Sequence, residues 1–383
     1  MPKILVTEFV SSTSPHDEAS IRAYWELVLE GFSMAYTAAK VLKDAGAEVH
    51  LTLSYMFENM KLPFRIAIVG KEEDYFDVLE KIETLYDYVL LIAPPRELMK
   101  ASKIVKDKIL GPTYDCILTF SNKKSTYKFL EERGIQVPRT KYLRKGRTLE
   151  GESIPYPVVV KPVDMAGGAG ITLVKTPDNL EYALNRAWDN TFSEEIAVQE
   201  FLVGVHASIS VISDGSNVHF ISNNIQLIDV GSKGELKYYG GITPLRNSEM
   251  LEKSLSIINK MLKGCNCLRG YFGLDVVWVN WRPYVVEVNP RLTTSFIGLA
   301  EVLGEDLGKL ILYSVGEEKF HRKTRFNFEN YSYYVILDRT VKTLRHERIL
   351  QPGKSRRSIV VGVAESIDDV FLRVRELRSS SKV

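Results

Sequence analysis

The chain has little of what would commit it to an extracellular, membrane or nucleic-acid role. Three cysteines, Cys116, Cys265 and Cys267, stand in 383 residues, too few for a disulfide-built scaffold. The C-x-C pair lacks the spacing of a zinc knuckle or a thioredoxin-like motif, so reduced thiols are the simplest expectation. Neither sign of charge is in excess: 50 Lys and Arg against 48 Asp and Glu leave a formal +2. That balance gives no overall attraction to nucleic acid or to an anionic membrane. No apolar run approaches the roughly 18 residues of a membrane span, and the segment after Met1 turns polar by Ser11, too early for a secretory leader. A cytoplasmic location is expected. Pro and Gly are not enriched and no repeat of 20 to 50 residues is evident, which argues against disorder and solenoids. No G-x-G-x-x-G follows the first strand, so a dinucleotide site is not inferred.

What is present divides the chain. Its length predicts two or three domains. Residues 1–120 alternate apolar runs (Ile4 to Val10, Val49 to Leu53, Phe64 to Val69, Tyr88 to Ala93, Ile117 to Phe120) with helix-period segments (Ile21 to Ala45, Asp74 to Leu85, Glu97 to Lys108), which predicts a parallel α/β sheet. After a helix at Lys123 to Arg133 the texture becomes α+β with antiparallel strands. The runs are Val158 to Lys161, Ile171 to Val174 and a β series from Ile196 to Val230, with helices at Asp178 to Trp188 and Glu249 to Leu262. Subdomains are expected at 121–203 and 204–304. A β/α extension is expected over 305–383, with a helix at Gly304 to Val315 and a basic stretch at His321, Arg322, Lys323 and Arg325 that reads as a linker.

The most informative stretch is RGYFGLDVVWVNWRPYVVEVNPRLTTS, Arg269 to Ser295. Strand alternation puts Glu287 and Asn289 on one face and Val286 and Val288 on the other. A three-residue loop centred on Trp281 would set Asp275 opposite Glu287 and Val277 opposite Val285. Two acids and an amide then converge, an oxygen donor set that suits Mg²⁺ or Mn²⁺. The alternative is an edge-exposed Asp275, with Glu287 paired to Arg282 or Arg291. Upstream, VVVKPVDMAGGAG ends a strand in Lys161 and runs into Gly167, Gly168 and Gly170. Such glycines let amides close on phosphate oxygens, or simply form a hairpin turn. A strand through Gln199, Glu200, Phe201 and Leu202 could offer the Glu200 and Leu202 backbone to a purine, or be an ordinary buried strand.

In this order the pieces resemble the ATP-grasp superfamily over roughly residues 115 to 300. The resemblance implies a pre-ATP-grasp α/β domain followed by ATP-grasp domains with antiparallel sheets. It implies ATP phosphates held by Lys123, Lys161 and the glycine loop, and adenine on Gln199 to Leu202. Two Mg²⁺ or Mn²⁺ would sit on Asp275, Glu287 and Asn289, with Lys237 as a further phosphate-binding lysine and Arg291 facing the transferred phosphoryl group or acyl phosphate. The chain departs from the family at Gln199 and His206, where acids usually contact adenine and the ribose. Gln199 retains an amide oxygen and His206 can donate or accept. Within the superfamily the likeness is closer to archaeal tyramine-glutamate ligases, through Glu30-Gly31, Met34, Ser222 to Gln226, Tyr239-Gly240-Gly241 and Asn289 to Ser295. It implies that Asn224, Gln226, Tyr239, Gly240, Gly241, Thr293, Thr294 and Ser295 meet the substrate, although Asn224, Gln226, Thr293 and Thr294 could equally be strand or turn residues. The expected reaction joins a small-molecule carboxylate, such as the γ-carboxylate of glutamate, to an amine, releasing ADP and phosphate. Dimerisation follows from the likeness alone. The alternatives are a carboxylase-like use of bicarbonate, against which the lack of a Met-Lys-Met motif counts, and a nucleotide-binding protein without catalysis.

Overall fold

The computed structural model describes residues 1–15, 18–147, 154–316, 326, 328–339 and 341–379; the basic stretch at 321–325 lies outside them. In the first third, β1 (Lys3–Glu8), α1 (Phe9–Ser12), α2 (Glu18–Asp44), β2 (Glu48–Ser54), β3 (Arg65–Val69), α3 (Tyr75–Ile82), β4 (Tyr88–Ile92) and α4 (Pro95–Val105) build a sheet of order β3-β2-β1-β4. All of its pairings are parallel. Parallel strands need helical crossovers, and these cover both faces. Ile4, Val6, Leu51, Leu53, Leu90 and Ile92 face α2, while Leu5, Val89 and Leu91 face α3 and α4.

The fifth strand expected at Ile117 to Phe120 is instead a helix, α5 (Tyr114–Phe120). A four-residue apolar run fits either state by pattern alone. Here Cys116, Ile117 and Phe120 are the buried residues, a helical spacing that packing decided. β1 also stops short of Val10: the Glu8 side chain accepts from the amides of Val10 and Ser11 and caps α1. The thiols are not all reduced. Cys116 and Cys267 form a disulfide across 151 residues, leaving Cys265 as a free buried thiol.

Next come α6 (Lys123–Glu131), β5 (Thr140–Arg144), β6 (Val158–Pro162), β7 (Thr172–Val174), α7 (Leu180–Asp189) and β8 (Glu195–Glu200). Their sheet, of order β5-β8-β6-β7, is antiparallel. One face packs on α7 through Val158, Val160, Ile196 and Val198. The other carries Lys161, Gln199 and Thr140, which strand pairing puts side by side.

The rest is β9 (Val205–Asp214), β10 (Val218–Val230), β11 (Leu236–Leu245), α8 (Ser248–Leu262), β12 (Arg269–Val279), β13 (Arg282–Asn289), α9 (Ser295–Leu303), α10 (Glu305–Tyr313), β14 (Tyr331–Leu337), β15 (Arg348–Leu350), β16 (Ser358–Ala364) and α11 (Ile367–Ser379). One antiparallel sheet of order β13-β12-β9-β10-β11-β14-β16-β15 contains every strand of this region among the described residues. The stretch after residue 305 therefore completes the sheet that carries the acidic hairpin. α9 and α10 also pack on α2 in a core shared with the first sheet. Gly308 sits at that crossing, where a Cβ would lie 2.1 Å from the Val41 carbonyl oxygen. None of the helices among the described residues is long and apolar enough to cross a membrane.

Candidate functional site

The hairpin turns at Asn280 and Trp281, whose φ values of 47° and 63° mark the left-handed pair of a two-residue turn. The loop is one residue shorter than expected, so Val277 faces Tyr284 and Val276 faces Val285. A bulge at Val286 then restores the register, bringing Asp275 opposite Glu287 and Gly273 opposite Asn289. Asp275 Oδ1 accepts from Gln226 Nε2 at 2.7 Å and Oδ2 from Asn289 Nδ2 at 3.1 Å. Burial, and after it the Glu287 charge, hold the Asp275 carboxyl above the usual carboxylate range. Neither Arg282 nor Arg291 lies within ion-pair distance of Glu287, whose nearest cation is Lys123 Nζ at 3.5 Å.

Lys123 opens α6, where Asn122 caps the helix by accepting from the Lys124 amide at 2.8 Å. Its Nζ also donates to the Met165 carbonyl at 2.7 Å, which joins the acids to the glycine loop. In that loop Gly167, Gly168 and Gly170 all have positive φ, between 69° and 79°, a conformation side chains resist. Lys161 is 2% exposed. It donates to Gln199 Oε1 at 3.0 Å and to the Tyr127 hydroxyl at 3.3 Å. Gln199 Nε2 donates in turn to Tyr127 and Thr140, and Tyr127 donates to the carbonyl of the bulge residue Val286 at 2.9 Å. Gln199 thus holds Lys161 where an acid would pair with it. Burial lowers the Lys161 ammonium to about 8, against the pull of Glu287 and Asp275.

On the expected adenine edge, the Glu200 amide donates to Arg139 O and the Phe201 amide to Pro157 O. Leu202 lies just past the strand end, and His206 is half-buried on β9 opposite Val277. The expected substrate residues divide. Gln226 reaches Asp275. Asn224 does not reach the open site: it is 0% exposed, its Nδ2 donates to Ser208 and Ser210, and its Oδ1 accepts from Ser222 and Thr243. Gly240 and Gly241 admit β14, since a Cβ would lie 1.9 Å from Tyr334 O and 2.3 Å from Tyr334 Oη respectively.

Tyr239 is the extra residue of a bulge between β10 and β11. That bulge reverses the alternation, so Tyr238 takes the site face and its hydroxyl donates to Tyr334 at 2.9 Å, while the Tyr239 ring lies under Arg378. Lys237, expected at the phosphates, is exposed and registered with Asp229. Thr293 and Ser295 hydrogen-bond each other and the Tyr271 hydroxyl, and Thr294 Oγ1 donates to Glu30 Oε2 at 3.4 Å.

Sequence reasoning missed Glu8, Tyr127, Tyr238 and Tyr334. Glu8 is 2% exposed. Gly31 makes room for it, since a Cβ there would lie 2.4 Å from its carboxyl carbon. An acid ending an otherwise apolar strand was the signal available. Arg291 lies in the field of four carboxylates, Glu287, Asp275, Glu8 and Glu30, and burial raises the carboxyls of both Glu8 and Glu30. The arrangement sets two carboxylates and an amide beside Lys123, which also holds the glycine loop, with Lys161 buried nearby and one guanidinium in the field of four acids. Asp275, Glu287 and the Asn289 oxygen fit a hard divalent ion: the donors are all oxygen, and the two acids repel each other without a cation.

Comparison with known proteins agrees with this geometry. The sequence profile of the ATP-grasp domain matches residues 120–295. The chain is 30% identical over 256 residues to tyramine–L-glutamate ligase of Methanocaldococcus fervens, covering 63% of this chain and 71% of that one. Against the Methanocaldococcus jannaschii protein of the same name it is 28% identical over 274 residues, 70% and 75% of the two chains. The crystal structure of an L-amino acid ligase from Bacillus licheniformis superposes with a TM-score of 0.70 over 99% of this chain and 97% of that one, at 16% identity, a likeness of fold. With the sheet topology, the glycine loop and the paired acids in place, the chain belongs to the ATP-grasp family.

Proposed function

We propose that the protein is an ATP-dependent carboxylate-amine ligase. The carrying observation is the convergence of Asp275, Glu287 and Asn289 on one side and Lys123 and Lys161 on the other. ATP and a carboxylate are both anions, so phosphoryl transfer between them needs that positive charge held in line. A divalent ion, which Asp275, Glu287 and the Asn289 oxygen would hold, would neutralise part of the triphosphate charge when bound. Lys161, kept in place by Gln199 and Tyr127, and Lys123, tied to the loop carbonyl of Met165, orient the phosphates. The carboxylate oxygen attacks the γ-phosphorus and ADP leaves, giving an acyl phosphate beside Arg291. An amine then attacks the acyl carbon, Arg291 stabilises the oxyanion, and phosphate departs with an amide formed. The glycine loop excludes water that would hydrolyse the intermediate.

For the substrates we infer an amino acid with a side-chain carboxylate, glutamate being the type, and a primary amine. The named relatives support this reading, as do Glu8 and Glu30, whose carboxylates suit an ammonium group beside Arg291. The test is phosphate release with Mg²⁺ or Mn²⁺ across pairs of amino acids and amines, with bicarbonate as a separate arm. The reading requires release that depends on both an acid and an amine. Release driven by bicarbonate alone, or tight ATP binding with no release across the screen, overturns it.

A further inference from the structure

Cys116 on α5 and Cys265 and Cys267 before β12 gather three sulfurs from distant parts of the chain. Cys116 and Cys267 are bonded, and the Cys265 sulfur stands 3.4 Å from Cys267 and 3.9 Å from Cys116. A disulfide accounts for two of these sulfurs and leaves the surroundings of the third without a reason. Burial raises the Cys265 thiol, and the backbone amides of Cys267 and Leu268, which hydrogen-bond its sulfur, oppose that rise. The Arg133 guanidinium acts on the same sulfur. It stacks 3.6 Å over the Phe129 ring and donates from Nη1 to the Phe129 carbonyl, yet its Nε is buried without a hydrogen-bond partner. Among the described residues no carboxylate lies within 4.0 Å of Arg133. A neutral disulfide and a neutral thiol give that cation nothing to balance.

We propose that, once the Cys116–Cys267 bond is reduced, the three thiolates hold one thiophilic divalent ion, Zn²⁺ being the type, with its fourth position open beside the half-exposed Cys267. Sulfurs around a tetrahedral Zn²⁺ at about 2.3 Å stand about 3.8 Å apart, and the two unbonded separations bracket that value. Three thiolates and a divalent ion carry one net negative charge, which answers Arg133. An external dithiol opens the bond by giving two electrons and two protons and leaves as its own disulfide; the ion then displaces one proton from each thiol. The site ties two leads into the clamp: α5 runs through Ser121 and Asn122 to Lys123, and the Cys265 loop runs into β12 and Asp275. No pattern in the sequence reports this, because Cys116 lies 149 residues before Cys265.

The test uses Cd²⁺ as a probe of the full chain, reduced anaerobically with a dithiol and desalted. Expected are thiolate-to-metal charge-transfer absorption saturating at one Cd²⁺ per chain, a higher thermal midpoint with Cd²⁺, and no such binding by the oxidised chain. Cys265→Ser, which keeps the Cys116–Cys267 pair for folding, should bind Cd²⁺ at least tenfold more weakly once reduced, its fold checked by circular dichroism. A reduced, folded wild type that takes no Cd²⁺ overturns the proposal and leaves the cluster as a plain disulfide. So does a Cys265→Ser variant that binds as tightly as the wild type.

Discussion

Two buried polar clusters share one face of the large sheet and differ in how they are satisfied. Around Asn224 every hydrogen-bonding position is closed by a neighbour: Ser208, Ser210, Ser222 and Thr243 take both ends of the amide. Around Asp275 two carboxylates face each other across a strand pair, with amides on one and a lysine 3.5 Å from the other. A closed network fixes the sheet, and its members resist change because an unmatched buried group is costly. An open pair of like charges weakens the sheet unless a proton or a ligand of opposite charge relieves it. Polarity alone does not separate a structural residue from a functional one; the tally of filled positions does.

That comparison can be broken in four places. The largest effect is expected at the open pair. Asp275→Ala or Glu287→Ala should lower ATP-dependent ligation on the order of 10³-fold, with the fold intact by circular dichroism. Near-normal turnover in either would remove the pair from the site. At the closed cluster, Asn224→Ala should cost about 2–3 kcal/mol in denaturant unfolding while Mg²⁺-ATP affinity changes less than about threefold. A stable variant with lost activity would invert the assignment.

The third prediction concerns pH. The Asp275 carboxyl is raised in the folded chain, so between its unfolded value of 3.8 and its higher folded value the native state binds more protons than the unfolded one. Stability of the ligand-free protein should therefore fall as pH rises through that window. Asp275→Asn should remove part of the slope and add about 1–2 kcal/mol at pH 7. A flat profile in the wild type would mean that the pair is not strained. The smallest effects belong to the bulge on β11. Tyr238→Phe should raise KM for the carboxylate about fivefold through its partner Tyr334, whereas Tyr239→Phe and Lys237→Ala should stay within about twofold. The reverse order would place the other face of the strand in the site.

The sequence made the acid pair legible because strand alternation is a strict period: Glu287 and Asn289 had to share a face, and a short turn had to bring Asp275 near. It concealed the compensation. The turn is a residue shorter than expected, and the Val286 bulge corrects it; neither changes the apolar pattern. A second bulge, at Tyr239, puts Tyr238 rather than Tyr239 on the site face. Ile117 to Phe120 carried no helix period long enough to outweigh its β-branched residues, and packing with the neighbouring elements decided it. Asn224 looked available because three of its four partners, Ser208, Ser210 and Thr243, come from other strands. The sulfur cluster was hidden by separation in the chain.

Gly234 has one consequence for timing. It lies at the tip joining β10 to β11 with φ 88°, and a Cβ there would stand 2.2 Å from the Leu173 carbonyl oxygen. Its carbonyl accepts from the Leu173 amide at 2.8 Å on β7, the strand that leaves the glycine loop. The strand that leaves the glycine loop is therefore clasped to the tip of the β10–β11 hairpin, whose strands carry Gln226 and Tyr238 toward Asp275 and Tyr334. On the proposed reaction this clasp makes loop and hairpin open as one, so the nucleotide and the amide product should leave at a common rate. A side chain at this one position would uncouple the two exits.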